Sequence, residues 1–285
     1  MNREWALPPL RTGYEADADL QERRSWAGGR VTPGAEPAEV VLGGTRCLVV
    51  EPASGAAQGD ILYLHGGGYR LGSPLAYLAY AQAIADRSER RIILPFYPLA
   101  PEAPFPGAIH AVVAAFRALP DPGATVIAGD SAGGGLAAAL CILAARAGQR
   151  PAGMVMVSPM LDLAAQGESL ERNAARDRLF SKAAVLGSAE LYLQGHDPAD
   201  PLVSALHADP ADFPPTLVLV GGAEVLLDEA LDFARRLALA DRRITLYVAP
   251  SMGHVWPLMA PQSPEAVEAI AAMAAFVTAR NPRDS

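Results

Sequence analysis

The chain has 285 residues, 51% of them hydrophobic, and 23 basic against 31 acidic side chains leave a formal net charge of -8. A sequence this long can bury most of its surface without a metal or disulfide staple, and Cys47 and Cys141 are too few for a disulfide framework, which favours a reducing cytoplasm. The acidic balance repels phosphate backbones, and the basic residues, 22 Arg and the single Lys182, are scattered, so no nucleic-acid partner is expected.

In chain order, the start MNREWALPPL is charged, breaks at Pro8 and Pro9, and lacks the basic segment, apolar run and small-residue site of a signal peptide. Residues 1–36 carry Trp5, Leu7, Leu10, Tyr14, Leu20 and Trp26 ahead of any predicted strand. Short apolar or β-branched runs then predict strands at Thr45–Val50, Ile61–Leu64, Ile92–Phe96, Thr125–Ala128, Met154–Ser158, Thr216–Val220 and Ile244–Val248. Helical spacing predicts helices at Leu75–Asp86, Gly107–Ala118, Ala132–Ala147 and Leu227–Ala240. This alternation argues for an α/β fold with a mostly parallel sheet covered on both faces. Residues 163–211 break it as a long helical excursion, too long for an ordinary connection. They are read with residues 1–36 as two parts of a lid over a core of residues 37–162 and 212–285; the plainer alternative is that the N-terminal aromatics only pad a groove. The longest stretch free of Lys, Arg, Asp and Glu, from Ile244 to Pro264, holds four prolines and cannot span a bilayer as a helix, so no membrane is expected as a partner.

The strongest chemical signal is Gly129, Asp130, Ser131, Ala132, Gly133, a GxSxG between a predicted strand and a predicted helix. A serine on such a turn is forced out at the top of the sheet, where the helix N-terminus favours developing negative charge. A glycine-rich turn with a helix-capping serine is the bland reading, and the strand-turn-helix context weakens it. His65, Gly66, Gly67, Gly68 and Tyr69 follow another strand. Consecutive glycines let backbone N–H groups point into a cavity, so Gly66 and Gly67, with Ala132, are read as an oxyanion hole. A phosphate loop is the rival, but its GK[ST] is missing. His254 is the expected base because it alone of five histidines sits in a loop just after a late strand and downstream of the serine. Glu224, after the strand ending near Val220, is the preferred orienting acid; Asp228 remains an alternative with a second explanation as a first-turn helix acid.

Together, HGGGY, GDSAGG and the late Gly253-His254 resemble the hormone-sensitive-lipase-like family of α/β-hydrolase esterases. The resemblance runs from about Gly43 to Phe276 and includes Leu99-Ala100-Pro101-Glu102, Pro104-Phe105-Pro106 and Ser158-Pro159 ahead of Asp162. It implies an α/β-hydrolase fold with a helical cap, Ser131 as nucleophile, His254 as base and Gly66, Gly67 and Ala132 as oxyanion donors. This chain departs from the family where Glu224-Val225-Leu226 replaces the more usual Asp-Pro-Leu, and where Phe96-Tyr97-Pro98 replaces Asp-Tyr-Arg. The expected activity is hydrolysis of short-acyl carboxylic esters, small molecules, without metal or organic cofactor. An amidase or formamidase on the same triad, and a non-catalytic receptor of the same fold, are the rivals. A homodimer through an exposed final strand or helix is the oligomeric form that the resemblance implies.

Overall fold

The computed structural model describes residues 5–29 and 37–280. Of the expected lid, residues 1–4 and 30–36 lie outside the described residues. The first helix, α1 (Ala18–Ala27), begins at Asp17, whose carboxylate accepts the Leu20 N–H at 2.8 Å.

A sheet of eight strands follows, β1 (Ala38–Leu42), β2 (Thr45–Val50), β3 (Asp60–Leu64), β4 (Arg91–Pro95), β5 (Val126–Asp130), β6 (Gly153–Val157), β7 (Thr216–Gly221) and β8 (Ile244–Ala249). Their spatial order is β1-β2-β4-β3-β5-β6-β7-β8. β2 is antiparallel to β1 and β4, and β4 through β8 run parallel. The seven predicted strands correspond to β2 through β8. β1 is the addition: it forms a hairpin with β2 across Gly43 and Gly44, whose φ values of 55° and 84° suit the two-residue turns that match strand twist. No residue of β1 is fully buried, so it lacks the apolar run by which the others are recognised.

Along the parallel strands, alternate residues enter opposite layers, as the period of two requires. Leu62, Leu64, Ile127, Met154, Met156, Val218 and Val220 face one layer, with helices α3 (Gly107–Arg117), α4 (Ala132–Arg146) and α7 (Leu227–Leu239). Ile61, Tyr63, Val126, Val155, Leu217 and Leu219 face the other, with α2 (Leu78–Ser88) and α9 (Pro264–Thr278). α9 was not foreseen; Ser263 caps it by accepting the Ala266 N–H at 3.1 Å, with Pro264 in its first turn.

Between β6 and β7 the chain runs through α5 (Ser169–Arg172) and α6 (Lys182–Leu193). Val185, Ala189, Tyr192 and Leu193 of α6 pack into the layer that holds α3 and α4. A last short helix, α8 (Trp256–Met259), leads from β8 to α9. Among the described residues no helix is long and apolar enough to cross a membrane.

Candidate active site

Ser131 stands between the last residue of β5 and the first of α4, with φ 51° and ψ -122°. Such a backbone is disfavoured for a residue with a side chain and persists only where its surroundings hold it. Here its N–H donates to Val157 O at 3.0 Å, while its carbonyl accepts Met160 N at 3.0 Å. The flanking glycines have a steric reason: a Cβ on Gly133 would meet Leu64 O at 2.0 Å, and one on Gly129 would meet Gly133 O at 2.4 Å.

His254, on the loop after β8, places Nε2 3.0 Å from Ser131 Oγ and Nδ1 3.0 Å from Glu224 Oε2. The other oxygen of Glu224, a fully buried residue, accepts the Ser158 hydroxyl at 2.8 Å and the Gly221 N–H. Ser158 Oγ in turn accepts Val255 N–H at 3.0 Å, so one hydroxyl ties the carboxylate to the histidine loop. Asn173 donates to Glu224 O at 2.8 Å, and Asp177 accepts Val225 N–H at 3.0 Å, so the segment after β6 brackets the acid's own backbone. Phe180 from that segment stacks on the His254 imidazole, ring centres 4.7 Å apart and planes 9° from parallel.

Asp228 does not join this array. It lies in the first turn of α7 as expected, but its carboxylate accepts Ser169 N–H at 2.7 Å and pairs with Arg172, joining α7 to α5. Its second explanation as a first-turn acid fits its place in α7, with Ser169 and Arg172 as the partners of its carboxylate.

The glycine loop requires a second correction. Gly66 N–H is already engaged, donating to Tyr77 Oη at 2.8 Å and Asp130 Oδ1 at 3.1 Å. It is therefore an anchor rather than a free donor. Among the described residues no acceptor meets the N–H groups of Gly67, Gly68 or Ala132. Gly67 and Gly68 have φ of 119° and 61°, and a Cβ on Gly67 would meet Leu71 O at 2.1 Å. Asp130 also accepts Tyr77 Oη–H at 2.9 Å and Tyr63 Oη–H at 3.1 Å. Burial raises its carboxyl to about 6, against the lowering effect of those hydroxyls.

His65 supports the same loop. Its Nδ1 lies 2.7 Å from Gly66 O and 3.1 Å from Tyr97 Oη, and the Tyr97 ring stacks on it at 4.3 Å. Burial lowers its imidazole to about 4, keeping it neutral at ordinary pH. His110 meets Pro8 O, His196 meets Asp200, and His207 is exposed. Among the described residues no group of three or more His, Cys, Asp or Glu is arranged to hold a metal ion.

Sequence reasoning missed Tyr77, Asp130 and Phe180, and noted Ser158 only within a motif. Asp130 was in view as the x of GxSxG. Nothing local marks Tyr77 or Phe180, since their partners lie 11 residues away or more.

A serine, an imidazole and a carboxylate in line, beside unengaged backbone donors, form an arrangement suited to acyl transfer. A family model described as the alpha/beta hydrolase fold matches residues 61–258. The chain belongs to that family. Among curated proteins this hydrolase is similar to an acetyl-hydrolase of Streptomyces hygroscopicus, 39% identical over 251 residues that span 86% of this chain and 83% of the relative. It is also similar to an esterase of Acinetobacter venetianus, 35% identical over 87% of this chain and 83% of the other. Among solved structures it is similar to a hormone-sensitive lipase from a metagenome library, with TM-score 0.85, 35% identity and 92% of each chain covered. The hydrolase thus stands among the esterases that resemble hormone-sensitive lipase, as its three motifs implied.

Proposed function

We propose that the protein is a serine carboxylesterase that cleaves short-acyl esters through an acyl-enzyme on Ser131. The observation that carries this reading is the contact chain Glu224–His254–Ser131, with both links at 3.0 Å. In the first step His254 Nε2 takes the Ser131 proton as Oγ bonds to the ester carbonyl carbon, and the carbonyl π pair moves onto oxygen. The N–H groups of Gly67, Gly68 and Ala132 receive that oxyanion, Gly68 taking the place first expected of Gly66. Collapse expels the alkoxide, which takes the proton from His254. Water, deprotonated by the same nitrogen, then attacks the acyl carbon, and collapse breaks the bond to Ser131 Oγ, which takes the proton back from His254 as the acid leaves. Glu224 holds the imidazole in the required tautomer and stabilises its cation. These steps call on no metal or organic cofactor.

The acetyl-hydrolase and esterase names of the relatives favour short acyl groups and small-molecule esters. Residues 1–36 and 163–211 are proposed to form the cap: Arg11 donates to Leu193 O at 2.8 Å and Gln194 O at 2.6 Å, tying the N-terminal arm to the end of α6, and Phe180 covers His254. The buried, unpaired Cys47 and Cys141 are consistent with a reducing cytoplasm. The free edge of β8, where Leu246 and Val248 are exposed, is the place for a homodimer contact.

The test is hydrolysis of 4-nitrophenyl acetate and butyrate by wild type and Ser131→Ala, with mass spectrometry after a serine-directed phosphonate. Wild type should turn over both esters and be labelled at Ser131 alone. An active Ser131→Ala protein, or labelling elsewhere, would remove Ser131 from its role.

A further inference from the structure

Arg70 comes directly after the glycine loop and is only 9% exposed. Among the described residues no carboxylate lies within ion-pair distance of it. Its Nε donates to Ser188 Oγ of α6 at 3.1 Å, and Ser188 Oγ donates onward to Ala184 O at 2.8 Å. A neutral hydroxyl therefore meets one of the five guanidinium N–H donors and brings no charge. Neighbouring Arg24 is the contrast. It pairs with Glu102 at 2.6 Å and also donates to Ala100 O and Arg70 O.

The charges around Arg70 do not neutralise it. Burial pushes its guanidinium below the ordinary value, Arg23 adds to that effect, and Asp19 opposes it. Asp19 is itself 80% exposed, with Arg23 as its ion-pair partner at 3.9 Å. A buried cation without a counter-ion is strongly disfavoured unless something of opposite charge meets it.

Its position indicates what that counter-charge is. A Cβ on Gly68 would lie 3.7 Å from Arg70 Nε and 2.4 Å from Ser188 Oγ, so the guanidinium sits beside this glycine on the side toward α6. Tyr69, between the two, points elsewhere: its ring stacks on Tyr192 at 3.9 Å and its hydroxyl reaches Gly135. The loop thus carries Gly67 and Gly68 with unengaged N–H groups and, two residues on, a guanidinium without a counter-ion beside the same glycine.

We infer that Arg70 is a specificity-determining residue that receives a carboxylate carried by the ester, so that anionic esters are the preferred substrate class. This rests on the esterase reading. The planar fork of Arg suits a carboxylate, which it can hold by two parallel hydrogen bonds. A chain with net charge -8 repels anions at long range, so selecting one takes a local cation such as this.

The experiment compares kcat/KM within two ester pairs, using wild type, Arg70→Met and Arg70→Lys. One pair carries the carboxylate on the acyl limb, 4-nitrophenyl hemiglutarate against 4-nitrophenyl valerate. The other carries it on the alcohol limb, 3-acetoxybenzoate against phenyl acetate. In at least one pair wild type should favour the anionic member by about tenfold or more, as a charge-assisted bidentate contact allows, and Arg70→Met should abolish that ratio. Equal loss on both members, or no wild-type preference for the anionic ester in either pair, overturns the inference and leaves the esterase reading standing. No hydrolysis of any of the four overturns both. If Arg70→Met does not fold, Arg70→Lys decides: losing the fork at constant charge should lower the ratio several-fold, and an unchanged ratio refutes the inference.

Discussion

Replacing Tyr77 with Phe removes one hydroxyl that makes two buried contacts, accepting Gly66 N–H at 2.8 Å and donating to Asp130 Oδ2 at 2.9 Å. Gly66 keeps its bond to Asp130 Oδ1 at 3.1 Å, and Asp130 keeps Tyr63. Oδ2, however, loses its one hydrogen-bond partner among the described residues. Leaving a buried, charged acceptor unmet costs about 1.5 to 3 kcal/mol, and the weakened Gly66 contact about 1 more, so destabilisation of about 2 to 4 kcal/mol is expected. The kinetic effect follows from the covalent link between Gly66 and the proposed donors. Deleting an oxyanion donor costs about 10² to 10³ in kcat, and misplacing a reacting group by about 1 Å costs about 10². Because Gly66 retains one anchor, the loop should loosen rather than move away. A loss of about 10 to 100-fold in kcat on 4-nitrophenyl butyrate is expected, with KM within about threefold, because the donors act on charge that develops in the transition state. Steady-state kinetics beside a urea melt separate the two effects. A variant that melts earlier yet keeps kcat within about threefold of wild type would show that the donors do not depend on this hydroxyl.

Glu224→Gln should lower kcat by about 10² to 10⁴ with little change in melting temperature, whereas Asp228→Asn should keep activity and lose about 1 kcal/mol through its contact with Ser169 N–H; the reverse pattern would make Asp228 the acid. Ser158→Ala should lower kcat about tenfold or more by freeing both the carboxylate and the histidine loop, and an unchanged kcat would reduce the hydroxyl to packing. Asp130, raised to about 6, contributes stability that is full below its ordinary 3.8 and lost as pH rises through 6, since there the unfolded chain has already released the proton. His65, lowered to about 4, has the opposite sign: its contribution is lost as pH falls from about 6.5 toward 4, which masks the Asp130 slope in wild type. Urea melts of wild type and Asp130→Asn should therefore show a stability difference that moves against wild type by up to about 3 kcal/mol between pH 4 and 7; a difference independent of pH would refute the assignment.

The parts of this molecule legible in its sequence are those whose signal is local. The buried strands announce themselves by apolar runs, and Ser131 by glycines that its turn requires sterically. β1 escaped because an exposed edge strand needs no apolar run, although Gly43-Gly44 marked its turn. α9 escaped despite its Ser263-Pro264 start, because the alternation of strand and helix was followed only as far as β8. Gly66 was misassigned for a different reason. In the sequence the three glycines of the loop are equivalent, and what separates them is a tyrosine 11 residues on and an aspartate 64 residues on. That information exists only once β3 and β5 lie side by side.

The sheet also accounts for the place of Ser158 between Glu224 and the histidine loop. Ser131, Ser158, Glu224 and His254 follow the ends of β5, β6, β7 and β8, four neighbours in one sheet. Adjacent strands lie about 4.8 Å apart, so the ends of β5 and β8 are about 14 Å from each other. A contact of 3.0 Å between Ser131 and His254 therefore requires the loop after β8 to run back across two strands. It does so in steps, each fixed by a hydrogen bond. Gly222 N–H to Ala249 O at 2.8 Å and Ala223 N–H to Met252 O at 3.0 Å hold the loop over β7, and Val255 N–H to Ser158 Oγ holds it over β6. Val255, with φ 48°, turns the chain where that last anchor is made. Ser158 N–H bonds Leu219 O and Ser131 N–H bonds Val157 O, so the ladder continues one residue past the strands. The imidazole is thus positioned from the sheet itself, and the carboxylate behind it is fixed by the same hydroxyl that stops the loop.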